Sequence, residues 1–238
     1  MRLAVIIVTI TVLLLLAMFT NIFRILKSVV LILQVTPYEQ TVPGAPVILV
    51  VGDSTGYGTG AGKKEASVAG QMGADFPNYT IVNNSKNGRT IQEALVVLQT
   101  LQTDAHFELI LLQIGANDIL QKREIEVVER DLTELYVVAK KHSPQVVMLS
   151  NGNIGASYAF KGKTAEAYTL QSRIFRATFI EAAKKHGVSY IDLFEEPEND
   201  VFVQDPKKYT AFDGLHPTSE GYAVWYLKLR PALETILQ

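Results

Sequence analysis

Five short, mostly apolar runs recur after Pro46, and helix-like stretches separate them. The first, residues 47–51 (VILVV), has no polar residue. A half-exposed strand alternates; an unbroken β-branched run fits a parallel strand buried on both faces. Residues 79–83, 108–114, 145–150 and 188–193 supply the other four candidates. Helices are expected between them at 65–73 (weakened by its glycines), 90–103, 123–141, 164–186 and 219–237. In the third helix Ile125, Val128, Leu132, Leu135, Val138 and Ala139 fall on one stripe at helical spacing. Gly187 stops the fourth, and Pro231 is expected to kink the last or to start a new turn. Such alternation predicts an α/β fold, a five-stranded parallel sheet covered on both faces. Sheets of this kind bind ligands beyond the carboxyl ends of their strands. The chemistry is therefore expected in the loops after strands one, two and three.

The chain has 238 residues, of which 48% are apolar, enough for one domain with a sizeable core and a short appendage. Cysteine is absent, which excludes disulfides, a thiolate metal site and a cysteine nucleophile. The formal net charge is -2, and Arg2, Arg24 and Lys27 are the only charged residues before Val35, so the remainder is more acidic than the whole. There is no basic field for nucleic acid.

Residues 3–23 form a run without a charge, as long as a helix needs to span a bilayer core. A cleaved signal peptide fits less well: its basic region would be Met1-Arg2 alone, and no A-x-A-like site follows. A buried helix is rarely so long and so apolar on all sides. The expectation is a membrane anchor over residues 1–35, with residues 29–35 as an interfacial stretch or a continuation of the helix. A Pro- and Gly-containing linker over 36–45 follows, then a catalytic domain over 46–238. Lys and Arg nearly balance across the span. A single N-terminal span ahead of an acidic domain is a common export arrangement, so the domain is expected on the extracytoplasmic side.

Four blocks fall at the expected loops. Strand one runs into Gly52-Asp53-Ser54-Thr55, which presents a serine hydroxyl at the sheet edge, next to the unpaired N–H groups of a helix start. Strand two leads to Lys86-Asn87-Gly88-Arg89-Thr90, where Gly88 could offer a backbone N–H with no side chain in the way. Strand three ends in Gly115-Ala116-Asn117-Asp118: Asn117 carries an amide donor, and Asp118 is the better cap for the following helix. Near the C-terminus stands Asp213-Gly214-Leu215-His216-Pro217, in which Asp213 is spaced to reach the His216 Nδ1 in a tight turn, and Pro217 starts the last helix. Each block alone also has a plain reading as a turn or a cap.

Together and in this order, the blocks GDST, KNGRT, GAND and DGLHP resemble those of the SGNH hydrolases, also called GDSL esterases and lipases. The resemblance covers about residue 46 to the C-terminus. Thr55 stands where the family name has Leu, and GAND where GGND is also common. It implies a flavodoxin-like three-layer α/β/α sandwich, no metal or organic cofactor, and serine ester hydrolysis through an acyl-enzyme. In that scheme Ser54 is the nucleophile, His216 the base and Asp213 its orienting acid. The N–H groups of Ser54 and Gly88 and the amide of Asn117 form the oxyanion hole. The partner is a small-molecule, lipid or glycan ester. Carbohydrate O-acetyl esterases, thioesterases and lysophospholipases of the same family are the alternatives, with a non-catalytic membrane-tethered binding protein in another class.

Gly56-x-Gly58-x-x-Ala61 fits a dinucleotide fingerprint only loosely, and strand two ends in asparagines where that fold needs an acid. Tyr57 and Tyr158 are candidates for the acyl pocket, and residues 151–164 for a substrate loop. His106, His142 and His186 lack paired metal-ligand spacing.

Overall fold

The computed structural model describes residues 26–237. Helix α1, residues 26–34 in its described part, precedes a parallel five-stranded sheet of order β2-β1-β3-β4-β5. The strands are β1 Val47–Gly52, β2 Thr80–Ser85, β3 Leu109–Gln113, β4 Val146–Leu149 and β5 Ser189–Ile191. The chain runs from β1 to β2 on one side, then returns past β1 to β3 on the other. The carboxyl ends of β1 and β3 therefore flank the point where the topology switches direction, the place where ligands bind in open α/β sheets.

Inner strands β1, β3 and β4 are buried almost throughout, as their unbroken apolar runs require. The edge strand β2 alternates instead, with Ile81, Asn83 and Ser85 inward. One face of the sheet packs on α4 Ile91–Gln99, α6 Ile125–His142 and α7 Lys163–His186, through Leu95, Leu132, Leu135, Phe175 and Phe179. The other face packs on α3 Val68–Asp75 and α10 Ser219–Ile236, through Met72, Tyr222, Trp225 and Leu229. The result is a three-layer α/β/α sandwich.

Four short helices escaped the periodicity analysis: α2 Ser54–Tyr57, α5 Ala116–Leu120, α8 Val201–Gln204 and α9 Pro206–Tyr209. A helix of four or five residues has too few turns to show a stripe. α10 runs through Pro231 as one helix and starts after Thr218, which caps it, so Pro217 lies outside. Asp118 does not cap the helix after it. Its Oδ2 accepts the Ile91 N–H at the start of α4, and its Oδ1 pairs with Arg123 at 2.7 Å.

The membrane expectation needs correction. The run 3–23 lies outside the described residues, and among those residues no helix is long and apolar enough to cross a membrane. The apolar stretch after Lys27 has a different use: α1 lies against the protein, with Leu31 and the following Val35 buried. The N-terminal transmembrane helix, the membrane as a partner and the membrane-anchored, extracytoplasmic localisation are therefore withdrawn. Residues 36–45 cross to the sheet edge, where Gln40 makes an antiparallel bridge to Ile81.

Candidate active site

The end of β1 turns sharply into α2. Gly52 is needed there, because a Cβ would stand 2.7 Å from the Gln113 carbonyl oxygen and 3.0 Å from the Gly56 Cα. Asp53 caps α2: its Oδ1 accepts both the N–H and the hydroxyl of Thr55, each at 2.8 Å. Ser54 thus opens a helix whose first-turn N–H groups have no intrahelical acceptor. Asp53 is fully buried, and burial pushes its carboxyl above the ordinary range against the lowering effect of the Thr55 donors and of His216.

His216 reaches Ser54 from the turn between α9 and α10. Its Nε2 lies 2.9 Å from the Ser54 Oγ, and its Nδ1 lies 2.5 Å from the Asp213 Oδ2. The other Asp213 oxygen, Oδ1, accepts the N–H groups of Leu215 and His216 at 3.0 and 3.1 Å. Burial alone would raise the Asp213 carboxyl. The hydrogen bond and charge of His216 with the two N–H donors outweigh it, so the carboxyl sits below its usual range and stays ionised.

The turn carrying these residues is tied down. Thr210 bridges Pro217, the Ala211 N–H donates to the His216 carbonyl at 2.7 Å, and the Gly214 carbonyl accepts the Ala159 N–H and the Ser157 hydroxyl. An imidazole held between a hydroxyl and a carboxylate can take the hydroxyl proton while the carboxylate fixes its tautomer.

Gly88 and Asn117 line the same cavity as Ser54 and His216. Gly88 has φ +80°, a backbone that glycine adopts without strain. The Asn117 Nδ2 donates one hydrogen bond to the Arg89 carbonyl at 3.0 Å, which leaves its second N–H for a ligand. Asn87 braces the loop by accepting the Thr59 hydroxyl at 2.6 Å.

The cavity holds about 280 Å³ and is walled mainly by apolar side chains, among them Ile32, Leu120, Ile154, Leu193, Leu215 and Trp225. Asn151, Asn153 and Ser157 of the expected substrate loop do line it. Tyr57 and Tyr158 do not: Tyr158 is more than half exposed and borders a separate cavity. Sequence reasoning missed Ile32, Leu193 and Trp225, which come from distant segments. Nothing in their local spacing marks them. Among the described residues, no cluster of three or more His, Asp or Glu could hold a metal ion.

A serine, a histidine and an aspartate in hydrogen-bonded series at the switch point of a parallel sheet define a hydrolase-type α/β protein. The family model described as GDSL-like Lipase/Acylhydrolase matches residues 50–224, and the chain belongs to that family. It is a serine ester hydrolase.

Solved structures share the fold at low identity. A lipolytic protein of the G-D-S-L family from Veillonella parvula DSM 2008 is 21% identical, with a TM-score of 0.59 over 78% of this chain and 96% of that one. A protein from Lactobacillus plantarum is 20% identical, with a TM-score of 0.66 over 80% and 97%. The psychrotrophic esterase EstA from Pseudoalteromonas sp. is 18% identical, with a TM-score of 0.58 over 81% and 98%. No curated protein matches the chain.

Proposed function

We propose that Ser54 is the nucleophile, His216 the general base and Asp213 the residue that orients it. The observation that carries this reading is the unbroken series from Ser54 Oγ through both ring nitrogens of His216 to the Asp213 carboxylate. His216 takes the hydroxyl proton as Ser54 Oγ bonds to the ester carbonyl carbon. The negative charge then falls on the carbonyl oxygen, where the N–H groups of Ser54 and Gly88 and the amide of Asn117 donate. Collapse expels the alcohol, which leaves with the proton from His216. Water, deprotonated by the same imidazole, attacks the acyl-enzyme and releases the acid. The same reading takes residues 46–238 as the hydrolase unit and residues 36–45 as the segment that joins it to α1.

The apolar cavity supports a carboxylic ester with an apolar acyl group as the substrate class. A carbohydrate O-acetyl ester is the second reading, favoured by Glu195, Asp200 and Lys228 along one part of the same cavity. Turnover of p-nitrophenyl acetate, butyrate and octanoate by the full chain beside Ser54→Ala tests both. The first reading expects serine-dependent turnover that rises from acetate to butyrate. Turnover confined to acetate, with release of acetate from acetylated xylan, would favour the second. Turnover that survives Ser54→Ala, or a fluorophosphonate that labels another residue, would remove Ser54 from the role.

A further inference from the structure

α1 lies outside the residues that the family model matches, yet it reaches the active site. The Ser28 hydroxyl donates to Asp213 Oδ2 at 3.2 Å, the same oxygen that faces the His216 Nδ1. With Oδ1 taken by the N–H groups of Leu215 and His216, Ser28 supplies the second contact to Oδ2. One turn on, Ile32 lines the cavity that contains Ser54. Residues four apart share a helix face. Leu31 and Val35, 3% and 6% exposed, seat the segment, whereas Leu33, 81% exposed, points away.

We propose that α1 completes the active site: Ser28 is a positioning residue for Asp213, and Ile32 is a specificity-determining wall of the acyl cavity. The inference rests on the roles of Ser54, His216 and Asp213 given above. Two donors on Oδ2 fix the plane of the carboxylate, and with it the ring whose far nitrogen meets Ser54. Ile32 adds apolar surface on which a longer acyl chain can be buried, so its effect grows with chain length.

The test uses the full chain with Ser28→Ala, Ser28→Thr, Ile32→Ala and, on the exposed face, Leu33→Ala. Ser28→Ala is expected to lower kcat on p-nitrophenyl butyrate about tenfold with KM nearly unchanged, as for loss of one hydrogen bond to a charged group. Ser28→Thr, which keeps the hydroxyl, is expected to recover most of it. Ile32→Ala is expected to lower the octanoate-to-acetate ratio of kcat/KM about tenfold. Leu33→Ala is expected to match wild type. A helix that merely packs on the domain would give equal melting losses in Ser28→Ala and Ser28→Thr and no change in the chain-length ratio; that result overturns the proposal. An inert Ser54→Ala beside a fully active Ser28→Ala and an unchanged Ile32→Ala ratio would reject the inference alone. An active Ser54→Ala would reject the reading beneath it.

Discussion

The side-chain amide of Asn117 donates to the carbonyl oxygen of Arg89 at 3.0 Å. That contact ties the loop after β3, which carries Asn117, to the loop after β2, which carries Gly88, the two groups proposed above to complete the oxyanion hole with Ser54. It also holds in place an amide that lines the cavity and has a second N–H left to donate. Asn117→Ala should therefore keep the fold and lose about 10²–10³ in kcat, the usual effect of one oxyanion donor. Steady-state kinetics beside a circular dichroism melt check this. Near-wild-type turnover would take Asn117 out of the hole.

Gly60 supports the His216 turn from below. It has φ +94°, and a Cβ there would stand 2.4 Å from the Pro217 carbonyl oxygen and 3.1 Å from the His216 Cβ. The backbone atom cannot yield as a flexible side-chain tip would, so Gly60→Ala must move the His216 turn. A destabilisation of about 1–3 kcal/mol from the strained backbone is expected, with a larger fractional loss of kcat than of folded protein. Thermal unfolding and kcat measured on the same sample decide it. A stable variant with full kcat would mean that the turn tolerates the shift.

Arg123 bridges two carboxylates, Asp118 at 2.7 Å and Asp131 at 2.8 Å, and its side chain is 17% exposed. Burial raises the Asp118 carboxyl, and Arg123 offsets that. Arg123→Met would strand a buried carboxylate that also accepts the Ile91 N–H at the start of α4. A loss of about 3–5 kcal/mol is expected, as when one partner of a buried pair is removed. Urea unfolding at neutral pH measures it. A loss below about 1 kcal/mol would show that the pair is as weak as an exposed one.

The sheet was legible because its inner strands must be apolar on both faces. β1 was expected at residues 47–51 and ends one residue later, at Gly52. α6 followed from its stripe: Val128, Leu132, Leu135 and Ala139 are all buried. The first three blocks were legible because each follows a strand end; the fourth lies between α9 and α10 and was legible from the spacing of Asp213 and His216. The cavity wall was not. Leu193, Trp225 and Ile32 meet only after three distant segments fold together. Nor was the docking of α1, since an apolar stretch reads the same whether lipid or protein covers it.

Asp53 gives a pH signature separate from catalysis. Its carboxyl is fully buried, its Oδ2 has no hydrogen-bond partner among the described residues, and burial raises it above its ordinary range. A raised folded value means that the native state holds the proton longer than the unfolded chain does. The associated stability is complete below the unfolded value of about 3.9 and is lost as pH rises through the folded one. Asp53→Asn keeps an oxygen for the Thr55 N–H and hydroxyl but cannot titrate. The stability of wild type relative to Asp53→Asn should therefore fall as pH rises from about 3.9, then level off once the buried carboxylate is ionised. Asp213 shifts the other way and is common to both proteins, so it cancels in the difference. Urea midpoints of the two proteins from acid to neutral pH give the test. A difference that stays flat would show that burial leaves the Asp53 carboxyl unshifted, and one that grows in favour of wild type with rising pH would show that it is stabilised as the anion.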